Sequence, residues 1–248
     1  MKTRFHLAIR LLQARIREVH FLVFIPLLVN LGCANLPRDP ERTTERVERE
    51  HKIRVGLAEN PPWVIRTGGE PKGLEVTLVR DFAHTLNADP LWFWGNEQTR
   101  MDALEHFELD LVISGLDATT PWSKSVGLTR PYFDEQFTVG LPMGVRAPER
   151  LRGLRVAVPE GDALASHVQS KGAVPVRTAN MTGFNGPVAA PVWALEKLGF
   201  SRTNFLVFEK KHVFATPPGE NGWLKKIGDY LQDHEPNLPT LLPREAQP

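Results

Sequence analysis

Glu108-Leu-Asp-Leu-Val-Ile-Ser-Gly-Leu-Asp-Ala-Thr-Thr-Pro-Trp-Ser-Lys-Ser-Val-Gly-Leu-Thr-Arg-Pro-Tyr-Phe133 is the stretch that decides the fold. Leu109 to Ile113 reads as a buried strand with a single acid, Asp110. Ser114 to Thr120 reads as a small, polar turn, and Val126 to Phe133 as a second apolar arrival. A strand that ends in Ser, Gly and Thr offers backbone N–H groups and hydroxyls at the carboxyl edge of a sheet. In open α/β sheets ligands bind at that edge.

Working outward, Ile53–Ala58 alternates like a strand, and Pro61 and Pro62 end it in a loop carrying Trp63. Leu74, Leu78, Phe82 and Leu86 recur at helical spacing. Leu91–Trp94 reads as a strand and Arg100–Phe107 as a short helix leading into the opening stretch. Strand, helix, strand, helix, strand argues for a parallel sheet covered by helices. A second set follows, with strands at 137–142, 155–158 and 174–176 and a helix at 163–170. A short buried strand ending at Pro191 opens into a helix over 192–198, and 205–215 is extended. The last helix has Trp223, Ile227, Tyr230 and Leu231 on one face, and the proline-rich tail after Glu235 reads as frayed.

The chain has 248 residues, 42% hydrophobic and 24% charged, with a net charge of +1, so nucleic acid is not an expected partner. The single cysteine, Cys33, follows an apolar run from Phe21 to Gly32 and a basic N-terminus with no acid before Glu18. That run is short for a membrane span and suits a signal peptide over residues 1–32. Leu31-Gly-Cys-Ala34 resembles a bacterial lipobox, which implies a lipidated Cys33 and a membrane anchor. An uncleaved anchor or an ordinary secretory signal remain the alternatives. Residues 33–52 are charged and poor in large apolar side chains, and read as a tether with a short helix in its later part.

Several pieces together resemble the extracellular solute-binding proteins, family 3, of amino-acid-type ABC transporters. They are Ile53-Arg-Val-Gly56 with Pro61-Pro-Trp63, Gly73-Leu-Glu-Val76, Glu108-Leu-Asp-Leu-Val-Ile113, Arg130-Pro-Tyr-Phe133, and Leu154–Val158 with Gly161. The resemblance covers residues 53 to about 233. It implies an α/β fold of the periplasmic binding protein-like type II, with two lobes and a ligand cleft between them. Lobe 1 would be 53–136 plus 207–233, lobe 2 would be 137–206, and 234–248 a flexible tail. It further implies a monomeric, non-enzymatic receptor at the extracytoplasmic face of the envelope, working with an inner-membrane ABC permease and holding a small-molecule ligand, with no cofactor and no metal. A dehydratase-like enzyme on the same fold, and a sensory or interaction lipoprotein, are the competing functions.

The departures from the family pattern concern the ligand. The Arg that grips an α-carboxylate in amino-acid binders is replaced by Trp122, and Pro191 stands where an acid would hold the α-ammonium. Asp117 takes the turn position usually given to Ser or Thr, and Gly161-Asp162 stands where a Thr is usual. The candidate ligand contacts are Glu59, Trp63, Ser114, Gly115, Asp117, Trp122, Gly161 and Asp162. Each has a plainer reading: Asp117 as a turn acceptor, Asp162 as a helix cap, Trp63 as a surface plug. Were these acids and indoles to line one cleft, they would suit a cationic or amine solute.

Overall fold

The computed structural model describes residues 38–161 and 163–245. The signal segment, Cys33 and Asp162 lie outside the described residues. The chain divides at Arg38, and Asp39–Pro248 forms one compact unit. Among the described residues nine strands make one sheet, in the order Asp89–Trp94 (β2), Lys52–Leu57 (β1), Leu111–Asp117 (β3), Phe200–Thr216 (β9), Phe133–Pro142 (β5), Val188–Pro191 (β8), Arg155–Pro159 (β6) and Val174–Thr178 (β7), with Gly127–Leu128 (β4) beside β9.

One half of the sheet follows the expected alternation. β1 (Lys52–Leu57) is flanked in parallel by β2 (Asp89–Trp94) and β3 (Leu111–Asp117). Helix α1 (Thr43–Glu50) precedes β1; α2 (Leu74–Thr85) and α3 (Glu97–Glu105) make the crossovers. Helix α3 starts where Asn96 accepts the Thr99 N–H at 2.8 Å, an N-cap that satisfies an otherwise orphan donor. The period of two in β3 sends Leu111 and Ile113 to one core with α2, and Val112 and Leu116 to another with α3. The other half repeats the design. β6 (Arg155–Pro159) lies between β7 (Val174–Thr178) and β8 (Val188–Pro191), with α4 (Leu164–Ser170) and α5 (Val192–Leu195) beside them. Val156 and Val158 face α4, and Ala157 faces Val188, Leu195 and Phe200.

The halves are joined by β5 (Phe133–Pro142) and the long antiparallel β9 (Phe200–Thr216). Their ladder shifts register between Phe137 and Thr138 and again between Thr138 and Gly140. Side chains satisfy the backbone there: Thr138 Oγ1 stands 3.0 and 2.8 Å from the Thr203 and Phe205 carbonyls, and Thr203 Oγ1 donates to Val139 O at 2.6 Å. Among the described residues no helix is long and apolar enough to cross a membrane.

Three segments differ from expectation. The turn read at Ser114–Thr120 is strand as far as Asp117, because β9 supplies antiparallel partners, His212 opposite Asp117 and Val213 opposite Leu116. The proline-rich tail forms helix α7 (Leu238–Glu245) after α6 (Asn221–His234); Leu238 and Leu242 are fully buried in the core of the first half. The later part of the expected tether is α1, and it is docked rather than solvated. Val47 is buried, and Arg46 and Arg54 pair with the fully buried Asp110. Capping is exchanged between α1 and α6: Glu220 accepts the Glu41 and Thr43 N–H groups at 2.8 and 2.9 Å, and Asp39 accepts the Trp223 N–H at 2.8 Å.

Candidate functional site

A cavity of about 290 Å³ opens between the two halves of the sheet, beside the joining strands. The first half contributes Asn60–Trp63, the second half Pro159, Leu164, Met181, Ala189–Pro191, Trp193 and Leu198, and the joining strands Glu135, Phe137 and Lys210. Alternation explains the last three. Phe133, Glu135 and Phe137 share a face of β5 and stand opposite His212, Lys210 and Phe208 of β9.

Trp63 is held from four sides. The carbonyls of Pro62 and Trp63 accept the first N–H groups of α2, from Leu74 and Glu75, at 3.1 Å each. Below the ring lies Gly115, with φ of 65°; a Cβ there would come 2.6 Å from Trp63 Cδ1 and 2.5 Å from Asn60 Nδ2. Above it the His212 ring stacks at 3.8 Å between centroids, and Phe133 packs at 5.8 Å. Trp63 is thus 3% exposed and shows the cavity only part of its surface.

Among the described residues Glu135 is the one carboxylate in the cavity lining, and it is 3% exposed. The Trp193 indole N–H donates to Oε1 at 2.9 Å, and His212 Nε2 meets Oε2 at 3.1 Å. His212 is fully buried, and its Nδ1 has no hydrogen-bond partner among the described residues. A carboxylate partner requires a hydrogen on Nε2, and an unmet lone pair at Nδ1 costs less than an unmet cationic N–H. A hydrogen on Nε2, donated to Glu135 Oε2, therefore fits this packing. Lys210, half-buried, lies with Nζ 5.6 Å from the Phe137 ring centroid.

A second buried carboxyl lies behind the first. Glu75, on α2, accepts the Gly115 N–H at 2.8 Å and the Tyr132 hydroxyl at 2.6 Å. Full burial raises its pKa above the ordinary carboxylate range; the Tyr132 and Gly115 hydrogen bonds only partly offset that. Tyr132 is pushed well above its ordinary value by burial and by the neighbouring Glu75. Among the described residues no three His, Cys, Asp or Glu side chains gather as a metal-ligand set.

A sequence profile of the bacterial extracellular solute-binding proteins, family 3, matches residues 53–235. The chain belongs to this family. No curated protein matches the sequence. Solved structures with the same fold as this family 3 protein include YckB from Bacillus subtilis, 16% identical over 81% of this chain and 92% of that one, with a TM-score of 0.63. An ancestral cationic amino acid solute-binding protein is 17% identical over 82% and 98%, with a TM-score of 0.65. The L-cystine solute receptor of Neisseria gonorrhoeae, in its unliganded open conformation, is 14% identical over 79% and 92%, with a TM-score of 0.62. At such identities the likeness is one of fold.

Of the residues singled out in the sequence of this family 3 protein, Trp63 lines the cavity, and Ser114 and Gly115 lie against its seat. Ser114 O accepts the Asn60 side-chain amide at 2.7 Å, which ties the first strand's exit loop to β3. The others are engaged elsewhere. Glu59 is half-exposed and pairs with Arg66 at 3.8 Å. Asp117 accepts the Thr119 and Lys211 N–H groups at 2.8 and 3.0 Å and the Thr119 hydroxyl. Partial burial alone would raise Asp117, but these donors outweigh it and hold the carboxyl below its ordinary value. Trp122 donates its indole N–H to Glu97 at 3.0 Å and packs with the α3 core. Gly161 is exposed on a turn with φ of 76°. Glu135, Trp193, Lys210 and His212 carry the site's polar chemistry and were not among the candidates. Their one sequence signal is a charged or polar residue spaced by two from apolar ones, Phe133-x-Glu135-x-Phe137.

Proposed function

We propose that this family 3 protein is a non-enzymatic receptor that captures a small amine-bearing solute between its two lobes and passes it to an ABC-type permease. The observation that carries the reading is a buried carboxylate, Glu135, set with the indoles of Trp63 and Trp193 in a cavity of about 290 Å³. A desolvated ammonium gains from a carboxylate and from aromatic faces together. The acid differs from the ones the sequence singled out, but the class of solute it favours is the same. The lobes in this proposal are 53–136 with 207–233, and 137–206, closing about β5 and β9. Lipidation of Cys33 would hold the monomeric receptor at the extracytoplasmic face of the membrane.

The test is a thermal-shift panel of amines, standard amino acids and acidic amino acids with the purified protein. A single-site binder gains stability with the logarithm of ligand excess. Amines should raise the midpoint in wild type and leave Glu135→Gln unmoved. Stabilisation by acidic amino acids and by no amine overturns the ligand class. Turnover of a cyclohexadienyl acid would replace the receptor with the dehydratase-like alternative. Mass spectrometry of the membrane fraction, with Cys33→Ser as control, decides the anchor.

A further inference from the structure

The described residues contain one imidazole that joins three walls of the cavity. His212 is bonded to Glu135, stacks on Trp63 at 3.8 Å between centroids, and through Glu135 is linked to the Trp193 indole of the second half. It touches no open part of the cavity itself, being fully buried. A buried ionisable group with one ring nitrogen unpartnered is a poor choice for packing alone, since a carbon ring of the same size would fill the space without an unmet polar atom.

We infer that His212 is a positioning residue that fixes the Glu135 carboxylate and the Trp63 indole, and that its proton sets the net charge the cavity offers to a solute. The inference rests on the amine-receptor reading above for its consequence, though not for its geometry. With the ring neutral, Glu135 presents a full negative charge, oriented by one N–H from each side. With the ring protonated, Glu135 becomes half of an internal ion pair, and the cavity no longer attracts a cation. Protonation also gives Nδ1 a hydrogen for which the described residues supply no acceptor, so the seat of Trp63 must open to admit one.

Charged and titratable groups face His212 from several elements. Glu135 meets it from β5, and Tyr132 lies just before that strand with its ring centroid 6.3 Å away. Glu75 acts on it from α2, and Asp117 stands opposite it on β3. Lys211 flanks it on β9, where it pairs with Asp134 at 3.5 Å and so points away from the imidazole's partners. The cation that stands against these acids is Lys210, opposite Glu135 on β9 and in the cavity lining. Imidazoles change charge between about pH 5 and 8, and a site built this way captures its solute in neutral surroundings and weakens in acidic ones.

The indole N–H signals of the six tryptophans, in nitrogen-15 labelled protein without ligand, read this directly. Trp63→Phe and Trp193→Phe assign the two signals. In wild type both should move in one shared transition between about pH 8 and about pH 5. His212→Gln, whose amide can still donate to Glu135, should keep the Trp193 signal near its neutral-pH position and abolish the transition of both. A transition that persists in His212→Gln, or none in wild type, overturns the inference. Should His212→Gln fail to fold, Glu135→Gln serves instead. Loss of the carboxylate should lower the midpoint of the Trp63 transition, and an unchanged midpoint overturns the inference. Calorimetry with 1,4-diaminobutane adds the consequence: binding about ten- to a hundredfold weaker at the acidic end, as expected for a lost charged hydrogen bond, and no such difference in His212→Gln. If the diamine binds at neither pH, the amine reading fails, while the indole titration still decides the role of His212.

Discussion

Replacing Gly115 by alanine probes the seat of Trp63 with one methyl group. The residue has φ of 65°, a left-handed conformation that costs an L-residue about 1–2 kcal/mol. The added Cβ would lie 2.5 Å from Asn60 Nδ2, 2.6 Å from Trp63 Cδ1 and 2.8 Å from Trp63 Cγ. Ordinary contacts need nearly an ångström more. Neither neighbour yields easily, because Asn60 is bonded to Ser114 O at 2.7 Å and Trp63 is pressed against His212 at 3.8 Å. Overpacking of this kind adds about 1–3 kcal/mol, for a sum of about 2–5 kcal/mol. At about 2–4 °C per kcal/mol for a domain of this size, the melting midpoint should fall by about 4–20 °C. A double-mutant cycle with Trp63→Ala, read by urea unfolding, separates the parts. With the indole gone, the backbone strain and the Asn60 contact remain, and the Trp63 share should appear as a coupling of about 1–3 kcal/mol. Equal costs of Gly115→Ala in both backgrounds, or a cost below about 0.5 kcal/mol, would refute the account of how Trp63 is held.

Three further outcomes are expected. Burial raises Glu75, so the folded state holds its proton more tightly than the unfolded chain. The stability this brings is complete in acid and is lost as pH rises through the raised folded value. Glu75→Gln, which can still accept from Gly115 and donate to Tyr132, should flatten that decline in urea melts across pH, and an unchanged slope counts against it. Asp117 has the opposite sign: its lowered carboxyl stabilises above the ordinary carboxylate range and loses that contribution as pH falls. Asp117→Ala should cost on the order of 1 kcal/mol at neutral pH and little in strong acid; an equal cost at both ends would show the hydrogen bonds to be irrelevant. Asp39→Ala removes acceptors for the Thr44 and Trp223 N–H groups, at about 0.5–2 kcal/mol for a lost cap. Amide exchange should accelerate over Thr43–Glu50 and in the first turn of α6 together. Acceleration in α1 alone would mean that the two helices are not mutually capped.

The scaffold was readable because its signals are periodic. Apolar alternation in Ile53–Leu57, the unbroken apolar run Leu111–Ile113, and four-residue spacing in Leu74, Leu78 and Phe82 each mark buried positions without a partner being known. The ends of the chain were harder. Leu238 and Leu242 stand four apart, yet prolines at 236, 239 and 243 dominate the tail's composition, and only the waiting groove of the core decides for a helix. Helix α1 has a single buried aliphatic, Val47, and docks chiefly through charges whose partners lie far along the chain, at Asp110 and Glu220. The site was the least readable. Of the acids on loops, Asp117 is a turn acceptor and Glu59 a surface pair. The cavity's acid lies in mid-strand among Asp134, Glu135 and Gln136, where three polar residues in a row hide which one faces inward. Pairing with β9 settles it, placing Glu135 between Phe133 and Phe137 on the face shared with His212.

The broken ladder between β5 and β9 has a mechanical meaning. A continuous antiparallel ladder resists folding along a crosswise line, since every rung must distort together. Here the rungs lose step at Phe137, Thr138 and Gly140, and threonine hydroxyls take over the local carbonyls. The β5–β9 ladder is therefore interrupted along a crease that begins at Phe137, in the wall of the cavity itself. In the receptor proposed above, a solute pressing on that wall would act close to the line about which the two lobes close.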